Sequence, residues 1–204
     1  KHLLKTFAAK DTPLEIKEED GYLIADMSHN EALQNALARA KEIVASIDWE
    51  ERRKTAKKPF LIEHKLDLLD PANEAILKLA TSPEILKPVS KYLGSFPILS
   101  GAAVWYSPNK EIEPIGSQLY HIDGEASKQI KCFMPIEEIT PDTGPLTILP
   151  ADITDNIYST LYNQKKVFKR NTKLEDDEVY SMTSKENAVP VVGKPGTVAL
   201  VDTC

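Results

Sequence analysis

Residues 117–124 read SQLYHIDG and set His121 and Asp123 two positions apart in a run with the alternation of a β-strand. Side chains alternate faces along a strand, so positions i and i+2 point the same way, while Tyr120 and Ile122 point to the other side. A neutral imidazole nitrogen and a carboxylate oxygen on one face make two thirds of a 2-His-1-carboxylate facial triad. That set holds Fe(II) and leaves three adjacent octahedral positions open. The same residues also read as a strand-end histidine followed by an Asp-Gly turn, and the pair alone does not choose between the two. One further histidine is needed to complete a triad.

Outward from this stretch the chain keeps the character of short strands between Pro- and Gly-rich turns. FPILSGAAVWY (96–106), SQLYHID (117–123), KQIKCFMPIEEI (128–139), PLTIL (145–149), AVPVV (188–192) and TVALVD (197–202) all read as strands. This pattern predicts a mainly β core with flanking helices, an α+β chain whose strands form a jelly roll or barrel. Within 128–139, Ile130, Cys132, Met134 and Ile136 alternate with Lys131 and Phe133. If the first set packs outward against helices, the lysine and phenylalanine face the interior; the opposite facing leaves Lys131 in water, and the sequence leaves both open. Residues 151–187 interrupt the strands with DITDNIYSTLYN and the charged LEDDEVYS, a partly helical excursion expected near the mouth of the site.

The N-terminal half carries no chemistry of its own. PLEIKEEDGYLIADM (13–27) predicts two short strands around an Asp20-Gly21 hairpin turn. Ser28 and Glu31 form an S-x-x-E capping box for a helix to about Asp48, with Leu33, Leu37, Ala40, Val44 and Ile47 on one face. Residues 50–58, EERRKTAKK, read as a solvated connection. Asp70-Pro71 and Ser82-Pro83, each a cap residue before proline, predict helices over 71–80 and 83–93, the second kinked at Pro88 and closed by Gly94. One domain spans 1–204, with the hairpin and helices in about 1–94 and the strand core in about 95–204.

Composition sets the outer bounds. A chain of 204 residues with 42% hydrophobic and 27% charged residues builds one well-buried core. A net charge of −6, with the basic residues scattered, gives no footprint for nucleic acid or an anionic membrane surface. No apolar run approaches a membrane span and no signal peptide opens the chain, so a cytoplasmic protein is expected. Cys132 and Cys204 imply no disulfide framework and read as thiols.

The order of H-x-D at 121–123, KCFMPIEEI at 131–139, GPLTILP at 144–150 and GTVALVDT at 196–203 resembles the phytanoyl-CoA dioxygenase family of Fe(II)/2-oxoglutarate-dependent oxygenases. The likeness covers roughly residues 95–204. It implies a double-stranded β-helix in which His121 and Asp123 hold Fe(II), 2-oxoglutarate chelates the metal as cosubstrate, and O2 takes the last position. A small organic molecule is then hydroxylated as 2-oxoglutarate is decarboxylated to succinate. Asp123 favours hydroxylation, because relatives that halogenate have a small residue there. Lys131 and Phe133 would meet the cosubstrate, the lysine pairing with its C5 carboxylate. Gln118 and Trp105 could line the same pocket, although Trp105 reads more simply as core.

Two departures from the family pattern stand out. The family's P-G-S-H is replaced by Pro150-Ala151-Asp152-Ile153, which bears on the loop and substrate rather than on the metal. The distal histidine is also missing. His2, His29 and His64 lie outside the strand region and read as surface or structural residues. The chain opens on Lys1 and stops at Cys204 directly after an apolar run, so a segment of a longer protein is expected, with the third ligand just past Cys204 and a cosubstrate-binding arginine beyond it. Two other classes remain open from the residues alone: a non-catalytic jelly-roll binding module, and a cupin-type metalloenzyme that uses no 2-oxoglutarate. Cupins usually offer an H-x-H pair, which this chain lacks.

Overall fold

The strand TVALVD, expected at 197–202, forms over those residues as β7 (Thr197–Asp202) and is the centre of the molecule. The computed structural model describes residues 14–108, 113–124, 126–164 and 173–204. In it β7 pairs antiparallel on one side with β1 (Tyr22–Asp26) and on the other with β4 (Ile130–Phe133), in registers that set Leu23 and Cys132 opposite Leu200. Both faces of β7 are buried. Val198 and Leu200 enter a cluster with helical residues such as Leu33, Leu37, Ile76, Leu79, Ile85 and Val89. Ala199 and Val201 enter a second cluster with Ile148 and Val191. A strand covered on both sides has no polar face to show, which is why its sequence is a continuous apolar run.

The helical layer follows from periodicity. Helix α1 (Glu31–Ala45) buries Leu33, Ala36, Leu37, Ala40 and Ile43 along one stripe. Its cap is Asn30, whose side chain accepts from Leu33 N at 2.9 Å, and not the expected Ser28. Ser28 instead uses its own N–H on the Asp26 carboxylate. It also lies so close to Gly196 (φ 118°) that a Cβ there would sit 2.8 Å from the Ser28 Cβ. The helix ends at Ala45, short of the expected Asp48, because Asp48 caps a helix of its own, α2 (Trp49–Thr55). The polar segment 50–58, read as a solvated connection, is therefore helical as far as Thr55, but none of the helix's residues is buried.

Asp70 caps a 3-10 turn, Pro71–Asn73, that leads into α3 (Glu74–Ala80). Helix α4 (Pro83–Leu93) continues past Pro88, and it closes at Gly94, φ 65°, the one C-terminal glycine the sequence predicts there. Ser82 makes no cap hydrogen bond, and its hydroxyl is buried without a partner.

Two further sheets complete the described residues. Strand β2 (Ile62–Leu66), which the sequence reading missed, pairs with β3 (Ala102–Tyr106). Strand β5 (Thr147–Ile148) pairs with β6 (Val189–Pro190). The strands at 96–106, 128–139, 145–149 and 188–192 are thus shorter than expected, and 117–123 is not a strand. The chain is α+β, and the three sheets do not close on one another. The expected hairpin at Asp20-Gly21 is also absent. The carbonyls of Glu19 and Asp20 accept from Asp152 N and Ala151 N, so this turn caps α5 (Ala151–Asn163) instead of returning a strand. Gly21, at φ 71°, allows that approach, since a Cβ there would lie 2.9 Å from the Ala151 Cβ. The excursion after β5 is helical in part, as expected, with α5 followed by α6 (Asp176–Tyr180). Among the described residues no helix is long and apolar enough to cross a membrane.

Candidate functional site

Strand β4 presents its two faces as one of the two sequence alternatives has it. Ile130, Cys132, Met134 and Ile136 pack on the helical cluster. Phe133 packs on the opposite side with Ile148, Val191, Ala199 and Val201. Lys131 shares the Phe133 face by alternation, and its ammonium hydrogen-bonds Asp123 Oδ2. The aliphatic surroundings of the half-buried Cys132 on the helical face desolvate its thiol and push it up to about 12.

His121 and Asp123 come together without the strand geometry from which their proximity was argued. Gly116–Gln118 is a 3-10 turn, Tyr120 makes a single bridge to Leu174, and residues 121–124 have no regular structure. The backbone turns so that His121 Nδ1 meets the Leu119 carbonyl at 2.7 Å. A carbonyl only accepts, so Nδ1 carries the proton and, in the neutral ring, Nε2 keeps its lone pair. Nε2 lies 3.8 Å from Asp123 Oδ1. The aspartate is anchored at its main chain, where Asp123 N donates to Thr203 O at 2.6 Å. Its neighbour Ile122 is buried.

The electrostatics of Asp123 are a balance. Burial raises its carboxyl, but the Lys131 hydrogen bond and charge and the nearby Thr203 hydroxyl outweigh that and hold it below the ordinary carboxylate value. The Thr203 hydroxyl is itself buried and makes no well-formed hydrogen bond. Side-chain exposure is 26% for His121, 19% for Asp123 and 40% for Lys131, so the group is reachable from solvent at the lysine end.

A satellite cluster from the excursion holds the site from behind. Leu174 N donates to Tyr120 O at 2.8 Å, and the Tyr120 and Tyr180 hydroxyls hydrogen-bond at 2.7 Å with their rings edge to face. Burial and that hydrogen bond raise the Tyr120 phenol. Ile157, Leu161, Leu174 and Val179 form the buried centre around them.

Comparison with protein-family models, curated sequences and solved structures gives no match. The residues themselves therefore carry the functional case. Among the described residues no group of three histidine, cysteine or acidic side chains is placed to hold a metal. His29 is exposed and far along the chain at the start of α1. His64, on β2, contacts Arg52, and burial together with the arginine charge lowers its pKa. His2 lies outside the described residues.

Two of the expected pocket residues are engaged elsewhere. Gln118 is exposed, and its side-chain carbonyl accepts from Ile115 N at 3.2 Å. Trp105 sits on the β2–β3 sheet and is 47% exposed, which corrects its reading as core: at its register position, opposite Glu63, the strand faces outward. The sequence reading missed the Leu119 carbonyl, which acts only because the backbone is not a strand, and Thr203, for which the Asp-Thr at the end of β7 was the available signal.

Proposed function

We propose that this protein is an Fe(II)/2-oxoglutarate-dependent oxygenase that hydroxylates a small organic molecule. The observation that carries the reading is His121 Nε2, freed by the Nδ1 contact with Leu119 O, facing Asp123 Oδ1 at 3.8 Å. The two donors are close enough that a small side-chain rotation would let both reach one metal ion. The donor types suit Fe(II), and these two residues would supply two of its three protein ligands. With 2-oxoglutarate and O2, the metal supplies the oxidising chemistry that hydroxylates a C–H bond and releases succinate and CO2.

The chain's own contribution is positioning. Leu119 O sets the tautomer and ring plane of His121, as a carbonyl behind a metal-bound histidine commonly does. The Asp123 main chain is tied to the end of β7, and the Phe133 cluster closes the apolar side against water. Lys131 offers a cation for the cosubstrate's carboxylate. The double-stranded β-helix is the finer architecture of this proposal. Its support is that β5–β6 and the β1–β7–β4 sheet share the cluster of Ile148, Val191, Ala199 and Val201. Cys132 and Cys204 are not joined in a disulfide among the described residues, and thiols suit the proposed cytoplasmic setting.

One observation favours a second reading, a non-catalytic binding module: the Lys131 ammonium already neutralises Asp123, as a purely structural ion pair would. The experiment that separates them is succinate release from 2-oxoglutarate by the intact protein with Fe(II) in air. The oxygenase reading expects slow, uncoupled turnover even without the prime substrate, and its loss in Asp123→Ala. No succinate across candidate substrates, or equal turnover in Asp123→Ala, supports the binding module instead.

A further inference from the structure

We propose that the outer edge of β2 is an interface for a second copy of this chain, the two β2 strands pairing antiparallel about a two-fold axis at His64. The residues involved lie apart from the His121–Asp123 site. Strand β2 has β3 along one edge, and along the other no strand pairs with it among the described residues. Outside the β2–β3 ladder, residues 62–66 make no main-chain hydrogen bond among the described residues. Such an edge is a template for another strand, and proteins commonly block it with charged side chains, above all lysine.

The charges on β2 block every two-fold pairing about them but one. Glu63 and Lys65 are exposed, share one face by alternation, and have no ion-pair partner among the described residues. When two copies of a strand pair antiparallel about a two-fold axis, residues equally far from the axis face each other. An axis at Glu63 sets two glutamates together. An axis at Lys65 sets two lysines together and brings Glu63 against Asp67 of the second copy. An axis at His64 sets Glu63 against Lys65 of the second copy and, by symmetry, Lys65 against Glu63 of the second copy.

The rest of the strand agrees with that register. On the other face it sets Ile62 opposite Leu66 of the second copy, apolar against apolar. His64 sits at the axis beside Arg52, and burial and the arginine charge lower its pKa, so two uncharged rings meet there at neutral pH. Trp105, opposite Glu63 on β3 and 47% exposed, flanks each ion pair and shields it from water on one side. Exposed ion pairs add little affinity, so the charges choose the register and the partner. The new main-chain hydrogen bonds and the apolar contacts hold the copies together, and an interface of one short strand pair makes a weak, reversible dimer.

The test is sedimentation equilibrium of the intact protein at neutral pH and low salt. The wild type is expected to dimerise reversibly; a chain that stays monomeric up to about 1 mM overturns the proposal. Glu63→Lys and Lys65→Glu each bring like charges together at both symmetric positions, and each weakens the dimer by about tenfold or more. Mixed together, the two variants regain wild-type affinity, because one offers only lysines and the other only glutamates at the facing positions. The double variant E63K/K65E also regains it, so a fault in folding of either single variant does not decide the result. Dimerisation that ignores both reversals places the contact elsewhere and overturns the proposal. So does a loss that neither the mixture nor the double variant restores.

Discussion

At the scale of single residues, Asp123 gathers the site's main chain and charge. It is fixed by Thr203 at its backbone and by Lys131 at its side chain, and it faces His121. Its carboxyl is held below the value of about 3.9 that it has in an unfolded chain. A depressed carboxylate stabilises the folded state above the unfolded pKa, and that contribution is lost as pH falls through the folded one. Asp123→Asn is therefore expected to lower the urea midpoint at pH 7, with the gap to wild type narrowing below about pH 4. A gap that does not change with pH refutes the ion-pair account. Cys132 gives a second test at this scale. With its thiol pushed up to about 12 by burial, it should resist alkylation at pH 8 in the native state and react once urea unfolds the chain. The strand alternation around Lys131 and Phe133 was legible in the sequence because period 2 is a local property. The Leu119 contact was not, since it depends on a backbone turn that HID does not announce.

Between elements, the sequence located most helices and misplaced several pairings. Pro71 and Pro83 fix φ locally and Gly94 tolerates the left-handed conformation that ends a helix, and the helices they bound formed where expected. The DG at 20–21 also specifies a turn, but the partner of the strand that follows was set at long range: β1 joins β7, some 175 residues on, because β7 offers the apolar edge. Residues 117–123 lost their strand to a different long-range contact. The excursion through α5 and α6 captures Tyr120, bonding it to Leu174 and Tyr180. That capture positions His121, the next residue. Tyr180→Phe keeps the edge-to-face ring contact and removes one hydrogen bond, so a loss of about 0.5–1.5 kcal/mol is expected in urea unfolding. If the hydroxyl pair orders the Tyr120–His121 backbone, the amides of 119–122 exchange faster in that variant while those of β7 do not. Uniform behaviour across both segments contradicts the positioning role.

Across the whole molecule, protection is expected to follow the layers rather than the secondary structure. The β1–β7–β4 sheet is covered on one face by α1, α3 and α4 and on the other by the β5–β6 pair, and Val198, Ala199, Leu200 and Val201 are all nearly inaccessible. Helix α2 is the opposite case. It has a good cap at Asp48, ion pairs Arg53–Glu50 at 3.1 Å and Lys54–Glu51 at 2.5 Å, and a stack of Trp49 on Tyr106, but no buried residue. Exposed ion pairs contribute about 0–1 kcal/mol each, and a helix of this length has little stability of its own. Native-state hydrogen exchange should therefore find the amides of β7 opening only with global unfolding, those of α1 close behind, and those of α2 exchanging through local fraying at far lower free energy. Ion-pair screening should accelerate α2 further in high salt and leave β7 unchanged. Equal protection of α2 and β7 would mean that α2 packs against a surface the described residues do not include, and the layered account of stability would have to give way.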